Sequence, residues 1–106
     1  LLEQYLRERM ALRGLMMLMD IRHPLTPLDR QLLDWCAARG LPVHILLTKA
    51  DKLSRGAALA VRQQVEKTLR ADYPQTSAQL FSALTRLGME EAWTRLDKWL
   101  GFAVEG

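Results

Sequence analysis

Two short runs, Leu15-Met16-Met17-Leu18-Met19 and Val43-His44-Ile45-Leu46-Leu47, constrain this chain more than anything else in it. Neither shows the polar alternation of a half-solvated strand. Gly14 and Asp20 bound the first run, and Pro42 precedes the second. Met and Leu are good helix formers, so composition alone leaves the first run open. Its shortness and its flanks favour a strand buried on both faces, the environment that a parallel sheet provides.

Between and after these runs the apolar spacing changes to that of helices. Thr26 can cap a helix, Pro27 suits its first position, and Asp29 falls in the first turn near the positive end of the dipole. Leu28, Leu32, Trp35 and Cys36 then line one face, and Gly40 and Pro42 end the segment. A second helix opens at Ser54 to Gly56 and runs to about Asp72, with Val61, Val65 and Leu69 at four-residue spacing. Pro74 and Gln75-Thr76-Ser77 read as a loop, and residues 78–81 as a short third strand. Gly88 precedes a last helix with Met89, Ala92, Trp93, Leu96, Trp99 and Leu100 on its apolar face. At the start of the chain, Leu2, Tyr5, Leu6 and Met10 predict one more helix over 2–12.

Strands alternating with helices imply an α/β fold with right-handed crossovers and three parallel strands. Two crossovers of the same hand place both helices on one face, so the last helix must cover the other. The first strand would then be a hydrophobic edge, a hazard that proteins normally cover. A further strand outside the chain is expected beside it.

The 106 residues amount to one domain or a piece of one. At 49% hydrophobic residues the chain can build a core and is not disordered. No apolar run approaches membrane-spanning length, and the charged start does not read as a signal peptide. A first residue other than Met fits a fragment. The single cysteine, Cys36, allows no intramolecular disulfide and fits a reducing, cytoplasmic setting, with the thiol packed on a helix face. A net charge of +3 permits contact with RNA or another acidic surface. The basic residues are dispersed, which favours ordinary solvated helix faces.

The chemistry sits where the second and third strands end. Thr48-Lys49-Ala50-Asp51 closes one and Ser82-Ala83-Leu84 the other. In open α/β sheets, ligands bind at the carboxyl ends of strands. Guanine offers two adjacent donors, the ring N1–H and the exocyclic amine, and a carboxylate such as Asp51 accepts both. Adenine offers neither in that position. The Lys49 stem can lie along a purine face while its ammonium reaches a neighbouring loop. Thr48 can fix its loop through the hydroxyl. Ala83 presents a backbone N–H suited to guanine O6 and leaves room for a base, and Ser82 can brace the turn. Either motif alone is weak, and Asp51 could simply cap a turn; the conjunction carries the reading. His23 before Pro24 reads as a loop-packing residue, and His44 as a structural one.

These residues resemble a known family. Asp20-Ile21-Arg22-His23-Pro24-Leu25-Thr26, Leu46-Leu47-Thr48-Lys49-Ala50-Asp51-Lys52-Leu53 and Leu80-Phe81-Ser82-Ala83-Leu84 look like the EngB/YihA/YsxC group of bacterial Ras-like GTPases. The resemblance covers essentially the whole chain. It implies a partial P-loop NTPase (Ras-like) three-layer fold with the amino-terminal half missing, so that residues 1–106 form the carboxyl-terminal part of one G domain. It implies that Thr48, Lys49, Asp51, Ser82 and Ala83 bind the guanine of GTP or GDP. Thr48 replaces the usual Asn of the fourth GTPase motif, which loses an amide and loosens the tether to the phosphate loop. That loop, both switches and the Mg²⁺ ligands would lie before Leu1; no G-x-x-x-x-G-K-[ST] occurs within the chain. The resemblance also implies roles in large ribosomal subunit assembly and in septum formation. The alternative reading is a non-enzymatic basic α/β module that binds ribosomal RNA or a protein partner.

Overall fold

The computed structural model describes residues 14–100, without the side chain of Leu100. The helix expected over 2–12 lies outside the described residues. The order is β1 (Leu15–Asp20), α1 (Pro27–Ala38), β2 (Val43–Thr48), a 3-10 turn (Ala50–Lys52), α2 (Arg55–Asp72), β3 (Thr76–Leu80) and α3 (Met89–Leu100). The three strands form one sheet in the order β1-β2-β3, and both pairings are parallel. This is the α/β alternation with three parallel strands that the sequence pattern predicts.

Alternation along β2 sends Val43, Ile45 and Leu47 to one face and His44 and Leu46 to the other. The first face carries the main core. Met17, Met19 and Ala78 join it from the neighbouring strands, Leu33 and Cys36 from α1, and Ala58, Val65 and Leu69 from α2. Both crossover helices therefore cover the same face, as two right-handed connections demand. α3 lies across the opposite face, where Ala92 is buried and the Gly88 carbonyl just ahead of the helix accepts from Gln79. Each buried Leu, Ile or Val stabilises the fold by about 1.5–3 kcal/mol relative to exposure.

Local chemistry sets the helix starts. The Thr26 hydroxyl accepts from the Asp29 N–H at 3.2 Å, and the Asp29 carboxylate accepts from the Thr26 N–H at 3.0 Å. That reciprocal pair is a capping box closed by Asp rather than Glu. Ser54 caps α2 by accepting from the Ala57 N–H.

Three expectations need correction. On α1 Cys36 is buried as expected, but it is joined by Leu33, 1% exposed, while Leu28 is 74% exposed and Leu32 also faces outward. Leu33 and Cys36 are three apart and share a face, so Leu33 takes the inward place expected for Leu32. β3 begins at Thr76 rather than residue 78, because Thr76 and Ser77 pair in register with Val43 and His44. On α3, Trp93 is 57% exposed, whereas Ala92 is buried and Met89, Leu96 and Trp99 are half-buried.

β1 has β2 on one side and, among the described residues, no strand on the other. Leu18, in the middle of this edge strand, is 64% exposed on the face that α3 only partly covers.

Candidate functional site

In-register pairing brings the ends of β1 and β2 together, with Asp20 beside Thr48 and Leu47 beside Leu80. The loops that leave these ends share one rim of the sheet. The Thr48 hydroxyl donates to the Met19 carbonyl at 3.2 Å, and the Ile21 N–H donates to the Thr48 carbonyl at 3.0 Å. Thr48 thus ties its own loop to the β1 end.

Lys49 then turns into the left-handed region at φ 60°. A non-glycine residue there costs on the order of 1–3 kcal/mol, which the surrounding bonds must hold in place. Those bonds are visible. The Ala50 N–H donates to the Phe81 carbonyl at 3.1 Å, and the Phe81 N–H donates to the Leu47 carbonyl at 3.0 Å. Ala50 itself is buried. The turn that carries Asp51 is therefore stitched by main chain to the segment that carries Ser82.

The side chains complete the junction. The Ser82 hydroxyl donates to Asp51 Oδ1 at 2.6 Å and accepts from the Thr85 N–H at 3.2 Å. The Ser82 N–H donates to the Leu87 carbonyl at 3.0 Å, closing the loop that holds Ala83. Ser82 is fully buried, Asp51 half-buried and Ala83 exposed. The Ser82 hydroxyl holds the Asp51 carboxyl below its ordinary pKa. Partial burial opposes that shift, and the charges of Lys52 and Arg22 support it. No other side chain hydrogen-bonds this carboxylate among the described residues, so it keeps capacity for a further pair of N–H donors.

Two residues at this rim were quoted from the sequence without a role. Asp20 accepts from the Arg22 guanidinium at 2.8 Å and from the Arg22 N–H at 2.8 Å, and its Oδ2 lies 3.7 Å from Lys49 Nζ. The Arg22 bonds drive the Asp20 carboxyl far below the usual carboxylate range. Asp20 therefore stays ionised and anchors the Lys49 ammonium. The signal available beforehand was a carboxylate ending one strand in register with the threonine ending the next. His23, expected to pack in its loop, is exposed.

All five residues singled out from the sequence, Thr48, Lys49, Asp51, Ser82 and Ala83, thus stand on one rim. A groove of about 210 Å³ lined by Leu33, Cys36, Tyr73 and Thr76 lies at the opposite end, where β2 and β3 begin. It is remote from the polar junction and shares none of its residues.

Similarity to curated sequences extends over nearly the whole chain. The chain is 54% identical over 101 residues to the probable GTP-binding protein EngB of Aromatoleum aromaticum, covering 95% of this chain and 47% of that protein. It is 55% identical over 104 residues to the namesake in Methylobacillus flagellatus, covering 98% and 50%. It is 54% identical over 106 residues to that of Methylococcus capsulatus, with the same two shares. The chain belongs to the EngB family. It spans about half the length of the curated relatives it matches, consistent with the carboxyl-terminal half of an EngB protein. No family model matches it. Among the described residues of this EngB segment, no helix is long and apolar enough to cross a membrane, and Cys36 is free and buried.

Proposed function

We propose that this chain is the base-reading part of one GTP-binding domain, with Thr48, Lys49, Asp51, Ser82 and Ala83 as its guanine site. The observation that carries the reading is the 2.6 Å bond from Ser82 to Asp51, which joins the two motif loops at a single point. Asp51 accepts the N1–H and N2–H of guanine, and the Ala83 N–H donates to O6. The Lys49 stem covers one face of the ring while Asp20 restrains its ammonium. Thr48 and Ser82 hold the two loops without touching the base. Adenine leaves the Asp51 carboxylate without donors, and a site built to hydrogen-bond one partner rejects the other strongly.

The phosphates of GTP or GDP fall to segments beyond this chain, which has no Gly-rich phosphate loop. Mg²⁺, which the family resemblance implies, finds no ligand set here: among the described residues no group of three or more His, Cys, Asp and Glu side chains could hold a metal ion. Hydrolysis in the intact protein would rest on electrostatic positioning of the γ-phosphate by those other segments. Family membership further supports a cytoplasmic role in assembly of the large ribosomal subunit, and more distantly in septation. The net charge of +3 suits an RNA-rich partner.

Calorimetric titration of the intact gene product with GDP and ADP tests the site. The expected preference for GDP is at least about 100-fold, the scale set by unpaired buried polar groups. Equal affinities would remove the basis for the assignment. Cosedimentation with large ribosomal subunits across a salt series tests the partner.

A further inference from the structure

The face of the sheet beneath α3 holds a polar chain that the guanine site does not use directly. His44 and Gln79 are both fully buried. His44 Nδ1 lies 2.6 Å from Ser77 Oγ, and His44 Nε2 lies 2.7 Å from Gln79 Oε1. The Gln79 amide nitrogen donates to the Gly88 carbonyl at 2.8 Å and to the Leu80 carbonyl at 3.1 Å. Those two carbonyls fix the amide's orientation, because only its NH₂ end can donate to them. The oxygen end must then face His44, which requires the proton on His44 Nε2. Nδ1 is left to accept from the Ser77 hydroxyl. Burial favours the neutral ring this arrangement needs.

The bonds bracket the Ser82–Leu87 loop. Gln79 and Leu80 stand just before it and Gly88 just after it. Gly88 sits at φ +78°, and a Cβ there would lie 2.1 Å from the Leu80 carbonyl oxygen. The two stems of the loop are thus pressed together, and Gln79 is the side chain that bonds both.

We propose that His44 and Gln79 are positioning residues for the base site: they fix the stems of the loop that presents Ser82 to Asp51 and the Ala83 N–H to guanine O6. The inference rests on the guanine reading above. Neither residue touches nucleotide. His44 orients Gln79, and Gln79 clamps Leu80 to Gly88.

The test uses the intact gene product and four proteins: wild type, Gln79→Met, His44→Phe and His44→Gln. Met and Phe keep side-chain bulk and remove the bonds, whereas Gln at 44 retains a donor toward Gln79. Two quantities are read, the Kd for GDP and amide hydrogen exchange in the peptide spanning residues 82–88. Gln79→Met and His44→Phe are expected to weaken GDP about tenfold, the scale of a buried hydrogen-bonded group left unpaired. Exchange should accelerate in that peptide while β2 stays protected. His44→Gln should recover GDP binding to within about twofold of wild type, because it restores the bond to the amide oxygen. GDP binding unchanged in both disrupting variants overturns the proposal, and so does weakening with uniformly faster exchange. If Gln79→Met does not fold, the two His44 variants decide the matter by the same criteria. A wild type that does not prefer GDP to ADP points instead to failure of the guanine reading itself.

Discussion

Ser82 does more at this site than its small side chain announces. Its hydroxyl donates to Asp51, and that donation is the largest reason the Asp51 carboxyl titrates below its ordinary value. The sign follows directly. A carboxyl whose folded pKa is lowered stays charged, and able to accept guanine's two donors, until the pH falls through that lowered value. Ser82→Ala removes the donor, so Asp51 takes up its proton at higher pH. GDP titrations across an acid series should show the loss of binding beginning at higher pH in Ser82→Ala than in wild type. At neutral pH the same variant should bind GDP about tenfold more weakly, the effect of one lost charge-assisted hydrogen bond. An unmoved acid limb would mean that Ser82 does not support Asp51. The meeting of the Asp51 and Ser82 loops was legible in the sequence, because each motif closes a strand of the same parallel sheet. His44 meets Ser77 and Gln79 across the β2–β3 pairing, and Asp20 meets Lys49 at the next strand's end, so spacing along the chain does not reveal these contacts.

At the scale of elements, the periodic pattern predicted helices and strands well and the inward face of α1 poorly. Leu28, Leu32, Leu33 and Cys36 are all apolar and occupy overlapping stripes. Which stripe turns inward is decided by the sheet beneath, and the sheet selects Leu33 and Cys36. Leu33→Ala should therefore cost about 2–5 kcal/mol of stability, the range for a truncated core leucine. Leu28→Ala should stay within about 0.5 kcal/mol, as for an exposed position. Urea unfolding of the two variants measures both, and the reverse ranking would mean that α1 is rotated from the orientation described. The start of β3 was missed for a related reason. Thr76 and Ser77 look like loop residues beside Pro74, but pairing with Val43 and His44 draws them into the sheet, where the Ser77 hydroxyl meets the His44 ring.

At the largest scale, the described residues place a polar rim on a three-stranded sheet whose outer strands, β1 and β3, each pair on one side only. The alternation of apolar runs and amphipathic segments was sufficient to derive parallel strands, two helices on one face and a third on the other. The order β1-β2-β3 makes β1 an edge strand among the described residues, as the sequence pattern predicts. Under the proposed function, base recognition and phosphate chemistry fall to different stretches of the intact protein. The isolated 106-residue chain should show no GTP turnover above buffer, measured as phosphate release, whereas the intact protein should turn over. Turnover by the isolated chain would place catalytic groups where none is assigned.

The central claim is that the Asp51 carboxylate reads the two donors of guanine. Asn at this position keeps one acceptor and gains one donor, which suits xanthine, whose C2 carries an oxygen in place of the amine. The most direct measurement is titration of intact wild type and Asp51→Asn with GDP and with xanthosine diphosphate. The account predicts that wild type prefers GDP and that Asp51→Asn prefers xanthosine diphosphate. An Asp51→Asn protein that is folded and still binds GDP as tightly as wild type would contradict it.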